Sequence, residues 1–67
     1  MAKIQLNGKK IIIRGNFSIF KLLKKYHLAD KKVAIELNGK IIPKMHFKKR
    51  ILKNMDKIEI VHFIGGG

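Results

Sequence analysis

The sequence predicts an α+β fold in which two β-hairpins flank one helix and a final strand completes a mixed sheet. Three observations carry this. The stretch Leu6-Asn7-Gly8-Lys9 recurs as Leu37-Asn38-Gly39-Lys40, the segment between the copies changes to a helical period, and the closing "KIEIVHFI" alternates as a strand. With 67 residues the chain forms one domain. A domain of this size buries only about 60% of the surface its unfolded chain exposes, so its core is one thin layer.

The repeat comes first. Asn-Gly places two consecutive residues at positive φ, as a two-residue hairpin turn requires, so each copy predicts a hairpin. Residues 3–7 pair with 9–14, and residues 32–38 with 40–43. In the third strand Val33, Ile35 and Leu37 take one face, and Ala34 and Glu36 the other, so that strand is half buried.

Between the hairpins, Ile19, Leu22, Leu23 and Tyr26 fall at i, i+3, i+4 and i+7, the apolar stripe of a helix. Ser18 is placed to cap its N-terminus by accepting a hydrogen bond from an early backbone N–H. Lys21, Lys24 and Lys25 take the wet face, and Lys21 stands where a capping box has Glu or Gln. After Pro43, "KMHFKKRILKNMD" reads as an irregular segment or a single helical turn anchored by Phe47, Ile51 and Leu52.

In the last strand Ile58, Ile60, His62 and Ile64 share one face, and Glu59, Val61 and Phe63 the other. This strand is apolar over most of its length and poor in lysine, which suits it for insertion between the two hairpins. That arrangement is the β-grasp (ubiquitin-like) fold: a mixed sheet of about five strands, ββαββ plus a central C-terminal strand, packed on one helix. A ferredoxin-like sheet or a small barrel would use similar elements. The expected layout is a β-grasp domain over residues 1–64 and a flexible glycine tail over residues 65–67.

Charge and composition bound the function. Sixteen Lys and Arg against four Asp and Glu give a net charge of +12, yet the cations are scattered and only Lys48-Lys49-Arg50 forms a tight run. A solvated basic surface is the expectation ahead of nucleic-acid binding. Single-strand binders interleave cations with aromatic stacking platforms, and here there are only four Phe and one Tyr, of which Tyr26 is placed on the helix stripe and Phe47 in the irregular segment. The chain has no cysteine, hence no disulfide, no thiolate metal site and no side-chain thiol for nucleophilic or redox chemistry. Asp30, Glu36, Asp56 and Glu59 are dispersed without a paired acid and base, and His27, His46 and His62 lack metal-ligand spacing. No catalytic residue, metal ligand or bound cofactor is expected, and the chain is not expected to be an enzyme. The N-terminal "MAKIQLNG" has no apolar signal segment and the longest aliphatic run is Ile11-Ile12-Ile13, so a cytoplasmic protein without a membrane partner is expected.

The tail remains. Gly65-Gly66-Gly67 directly follows the expected central strand. Ile64 and the three glycines together extend about 14 Å, long enough to thread a narrow slot in a partner enzyme. Glycine lets another backbone or a nucleotide approach closely and leaves the terminal carbonyl carbon unhindered. A carboxylate is a poor electrophile at neutral pH, so chemistry there requires activation, for instance as an acyl-adenylate.

The compact length, the early Asn7-Gly8 turn, the helix opening "SIFKLL", the hairpin "AIELNGKIIPK" and the closing "DKIEIVHFIGGG" together resemble the ubiquitin-like sulfur carriers of the ThiS/MoaD family, most closely its thiamin (thiazole) branch. The resemblance spans essentially the whole chain. One departure is Met55-Asp56, where the family commonly has a Gly-Asp turn.

The resemblance implies that a ThiF-like adenylyltransferase, using ATP and magnesium of its own, adenylates the carboxylate of Gly67 while Gly65 and Gly66 thread its active site. A cysteine-derived persulfide donor then displaces AMP to leave a thiocarboxylate, and a ThiG-like thiazole synthase takes the sulfur. It also implies an apolar contact residue at Val61, which with Phe63 forms the expected docking patch. Related carriers for molybdopterin synthesis, tRNA thiolation or protein modification share the tail, and a small basic nucleic-acid-binding module is the alternative from a different class.

Overall fold

The computed structural model describes residues 1–62; Phe63, Ile64 and the glycines Gly65, Gly66 and Gly67 lie outside the described residues. Each Asn-Gly copy folds as anticipated. Asn7 and Gly8 have φ of 47° and 86°, and Asn38 and Gly39 have φ of 52° and 85°, so both central positions of each turn are left-handed. The first turn joins β1 (Ala2–Leu6) to β2 (Lys9–Ile13), and the second joins β3 (Val33–Leu37) to β4 (Lys40–Ile42). The last strand, β5 (Lys57–His62), enters between the hairpins, giving the order β2-β1-β5-β3-β4. It runs parallel to β1 and antiparallel to β3.

One face of this sheet packs on the helix α1 (Ile19–Lys25). Ile4 and Ile13 from the first hairpin, Ile35 and Leu37 from the second, and Ile58 and Ile60 from β5 are buried with Ile19, Leu22 and Leu23. The period-2 and period-3.6 patterns therefore bury the same set of residues from two sides, which is what a two-layer fold demands.

Two residues assigned to the core by spacing are not in it. Tyr26 would continue the helical stripe, but the helix stops at Lys25 and Tyr26 becomes the C-cap, 39% exposed. The reason is local: His27 takes φ of 60°, its N–H bonds the Lys24 carbonyl at 3.1 Å, and the Leu28 N–H bonds back to the Leu23 carbonyl at 2.7 Å. These are the bonds of a left-handed helix terminus, and Leu28 turns in to pack on the core in place of Tyr26. Ile51 is likewise exposed, whereas Phe47 and Leu52 are buried as expected.

The segment after Pro43 begins with a 3₁₀ turn at Lys44–His46 and serves the helix. The Ile19 N–H bonds the Arg50 carbonyl at 3.0 Å and the Phe20 N–H bonds the Phe47 carbonyl at 2.9 Å. Ser18 Oγ accepts from the Lys21 N–H at 3.0 Å, the expected cap. Donors that a helix start leaves without intrahelical partners are thus satisfied by a segment distant in sequence. Among the described residues no helix is long and apolar enough to cross a membrane.

Candidate functional site: the central strand and its clamps

The expected functional tail follows β5, so what fixes β5 fixes the origin of the tail. β1 reaches β5 through a short parallel ladder, with Gln5 opposite Lys57 and Leu6 opposite Ile58. The Gln5 N–H bonds the Asp56 carbonyl at 2.9 Å and the Asn7 N–H bonds the Ile58 carbonyl at 3.0 Å. At Asn7 the main chain turns away, and its side chain takes over. Asn7 Oδ1 accepts from the Ile60 N–H at 2.7 Å, and Asn7 Nδ2 donates to the Ile60 carbonyl at 3.2 Å. Residues 56, 58 and 60 of the chain are thus met in succession by two backbone amides and then by one side-chain amide.

The second Asn-Gly copy does the same from the other side, at the start of β5. The Asn38 N–H donates to the Lys57 carbonyl at 2.8 Å, and Asn38 Oδ1 accepts from the Lys57 N–H at 2.8 Å. Its Nδ2 donates to Asp56 Oδ1 at 2.9 Å. The other carboxylate oxygen, Oδ2, accepts from the Lys53 N–H at 2.7 Å. Asp56 is only 7% exposed, the sole buried polar residue among those described, and the Arg50 guanidinium stands 3.9 Å from its Oδ2. Hydrogen bonds and a nearby cation thus stand where water would otherwise solvate this buried carboxylate.

The turn that leads into β5 places Met55 at φ of 74°, with its N–H bonded to the Lys3 carbonyl at 2.8 Å. The left-handed geometry that a glycine adopts without strain is therefore kept here by a methionine whose side chain is 75% exposed.

Sequence reasoning read the two asparagines as turn formers and Asp56 as one of several dispersed acids. It missed that all three lock β5. The repeat itself held the signal, because identical turns at both flanks of a central strand bring identical side chains to that strand.

On the sheet face away from the helix, β5 presents Lys57, Glu59 and Val61. Val61 lies opposite Ala34 and is 58% exposed, and Glu59 lies opposite Glu36. The expected docking patch of Val61 and Phe63 is thus accessible at Val61, whereas Phe63 lies outside the described residues, as do Gly65, Gly66 and Gly67. Val61 and His62 pair with Ala34 and Val33 of β3, beyond the end of β1, so the end of β5 is held from the β3 side.

Among the described residues, the Phe17 and Phe20 rings lie beside lysines rather than standing open as stacking platforms for bases. Lys21 Nζ lies 4.9 Å from the centre of the Phe17 ring, and Lys48 and Lys24 lie 4.9 and 5.9 Å from that of Phe20, while Phe47 is buried. Among the described residues no three of His, Asp and Glu gather as a metal site.

Comparison with known proteins agrees with this architecture. The ThiS family profile matches residues 3–67. The sulfur carrier protein ThiS of Bacillus subtilis is 43% identical over 65 residues, covering 96% of this chain and 98% of that protein. A thiazole synthase of Paramagnetospirillum magneticum is 35% identical over 65 residues, which are 97% of this chain but 20% of that protein. Among solved structures, the thiamine biosynthesis protein ThiS of Geobacter metallireducens superposes with a TM-score of 0.81 at 29% identity, covering 97% of this chain and 99% of that one. With the β-grasp order of strands, the clamped central strand and a match from residue 3 to residue 67, the chain belongs to the ThiS family.

Proposed function

We propose that this protein is a sulfur carrier for thiazole formation in thiamin biosynthesis, and that the carboxylate of Gly67 is the group that carries the sulfur. The observation that carries the reading is membership in the ThiS family over residues 3–67, reinforced by 43% identity to a protein named a sulfur carrier. The absence of cysteine accords with it, because a thiocarboxylate places the sulfur on the main-chain terminus and needs no thiol side chain.

In this reading the Gly67 carboxylate attacks the α-phosphate of ATP in a ThiF-like adenylyltransferase, releasing pyrophosphate and giving an acyl-adenylate. The outer sulfur of a persulfide donor attacks the activated carbonyl carbon and AMP leaves. A thiol then attacks the donor's own sulfur in the resulting acyl disulfide, breaking the S–S bond, so that the thiocarboxylate is released and donor and thiol depart as a disulfide. ATP and magnesium belong to the activating enzyme; the carrier is a substrate and contributes no catalytic group. Gly65 and Gly66 pass through the partner's active site, and Val61 and Phe63 form the contact beside it. The likeness to a protein named thiazole synthase supports a ThiG-like synthase as the acceptor of the sulfur.

Intact-mass spectrometry tests this directly. Incubation with ATP, magnesium, the adenylyltransferase of the same organism, a persulfide donor and a thiol reductant should exchange one terminal oxygen for sulfur, and removal of Gly66 and Gly67 should abolish the gain. No gain with the intact chain, or an unchanged gain after the deletion, overturns the proposal.

A further inference from the structure

We propose that a groove on the helix side of the β3–β4 hairpin receives an acidic, apolar-anchored peptide segment of a partner protein, at a site separate from the exposed face around Val61. The groove has a volume of about 620 Å³ and lies between α1, the β3–β4 hairpin and the segment after Pro43. Phe20, Ile42, Met45 and Phe47 give it an apolar lining. Met45 is exposed at the groove, where its side chain is available to an apolar group of an occupant.

Three features select the occupant. The first is charge: Lys31, Lys44 and Lys48 line the groove and no acidic residue does, so an anionic segment is complementary and a cationic one is repelled. The second is the free edge: among the described residues β4 pairs with β3 alone, so its outer edge offers backbone donors and acceptors for an added strand. Ile42, which lies opposite the buried Ile35, brings the groove to that edge, so an added strand would place the alternate side chains of its helix-side face into it. The third is self-repulsion. A second copy of a +12 chain is an unfavourable partner for its own edge, which leaves the edge open to an acidic one.

Position gives the site a use. Val33 lines the groove and lies opposite His62 in the ladder, so an occupant sits beside the end of β5. A partner holding both this groove and the exposed face around Val61 grips the end of β5 from both sides of the sheet. The inference stands on the groove's own chemistry and is independent of the sulfur reading.

The test is titration of the ¹⁵N-labelled full chain with a ten-residue peptide of alternating aspartate and leucine, beside an all-aspartate peptide and a lysine–leucine peptide. Binding by the aspartate–leucine peptide should shift the amide signals of Val33, Ile42, Met45 and Phe47 and weaken as salt is raised. Lys44→Glu with Lys48→Glu, and separately Met45→Asp, should each weaken it by about tenfold or more, and the milder pair Lys44→Gln with Lys48→Gln by less. Lys10→Glu, on the opposite edge strand, should change it less than about twofold. Equal binding by either control peptide, shifts centred on Val61, no binding, or displacement of the groove signals only by phosphatidylglycerol vesicles would overturn the inference.

Discussion

Asn7 continues the sheet with its side chain: its Oδ1 accepts from the Ile60 N–H at 2.7 Å while its Nδ2 donates to the Ile60 carbonyl at 3.2 Å, two bonds across 53 residues of sequence. The φ of 47° that suits Asn7 to the turn also suits glycine, so Asn7→Gly removes the two bonds without disturbing the backbone. Each such bond contributes about 0.5–1.5 kcal/mol net. Loss of both should lower Tm on the order of 10 °C in a domain of this size. Hydrogen exchange should show lost protection at the Ile60 amide before that of Ile35.

Asp56 accepts from two donors on two different oxygens, so its carboxylate is not replaceable by an amide. In Asp56→Asn an NH₂ group must face either Asn38 Nδ2 or the Lys53 N–H, and a buried donor loses its acceptor. A loss of about 1–3 kcal/mol is expected in urea unfolding. A double-mutant cycle with Asn38→Ala should return a coupling of at least about 0.5 kcal/mol, and additivity would show that the contact is energetically idle.

Met55 and His27 both hold left-handed backbone, at φ of 74° and 60°. The left-handed region costs an L-residue about 1–2 kcal/mol, and glycine gives back about 0.4–1 kcal/mol through the entropy of the unfolded chain. Met55→Gly should therefore stabilise the protein by about 0.5–1 kcal/mol. His27→Gly should gain less, because histidine tolerates this region better than most residues. Equal or negative effects on Tm would show that side-chain packing outweighs the strain.

Val61 is 58% exposed on a strand whose opposite face is buried, so function and stability separate there. Val61→Lys should cost less than about 1 kcal/mol of stability, the span of strand propensity. If the exposed valine is a docking contact, the yield of sulfur-loaded chain at low adenylyltransferase concentration should fall about tenfold, as for loss of a central interface residue. Unchanged yield would remove Val61 from the interface.

Leu22 is fully buried where α1 meets the sheet. Leu22→Ala should cost about 2–5 kcal/mol, a large share of the stability of so small a domain. Circular dichroism should show a substantial loss of folded protein at 37 °C.

The elements that were legible in the sequence are those whose cause is local. Asn-Gly fixes its own φ values, Ser18 caps the helix three residues on, and alternation assigns Ile58 and Ile60 to one face and Val61 to the other. The misreadings have a different origin. Tyr26 obeys the helical period but falls beyond a helix that ends at Lys25, where Leu28 packs in its place. Ile51 looks like an anchor, yet the segment around it is shaped by backbone bonds to the start of α1.

By itself, then, the sequence determined which segments become strands and helix, which faces they bury, and that a glycine run follows the last strand. The tertiary structure decided what the polar residues do. Asn7, Asn38 and Asp56 are ordinary turn residues until β5 slides between the hairpins, because their partners lie far off in sequence and only strand order brings those partners within hydrogen-bonding distance. Periodicity reports burial, which each segment expresses alone; the clamps on β5 are pairings, and a pairing exists only once both partners are in place.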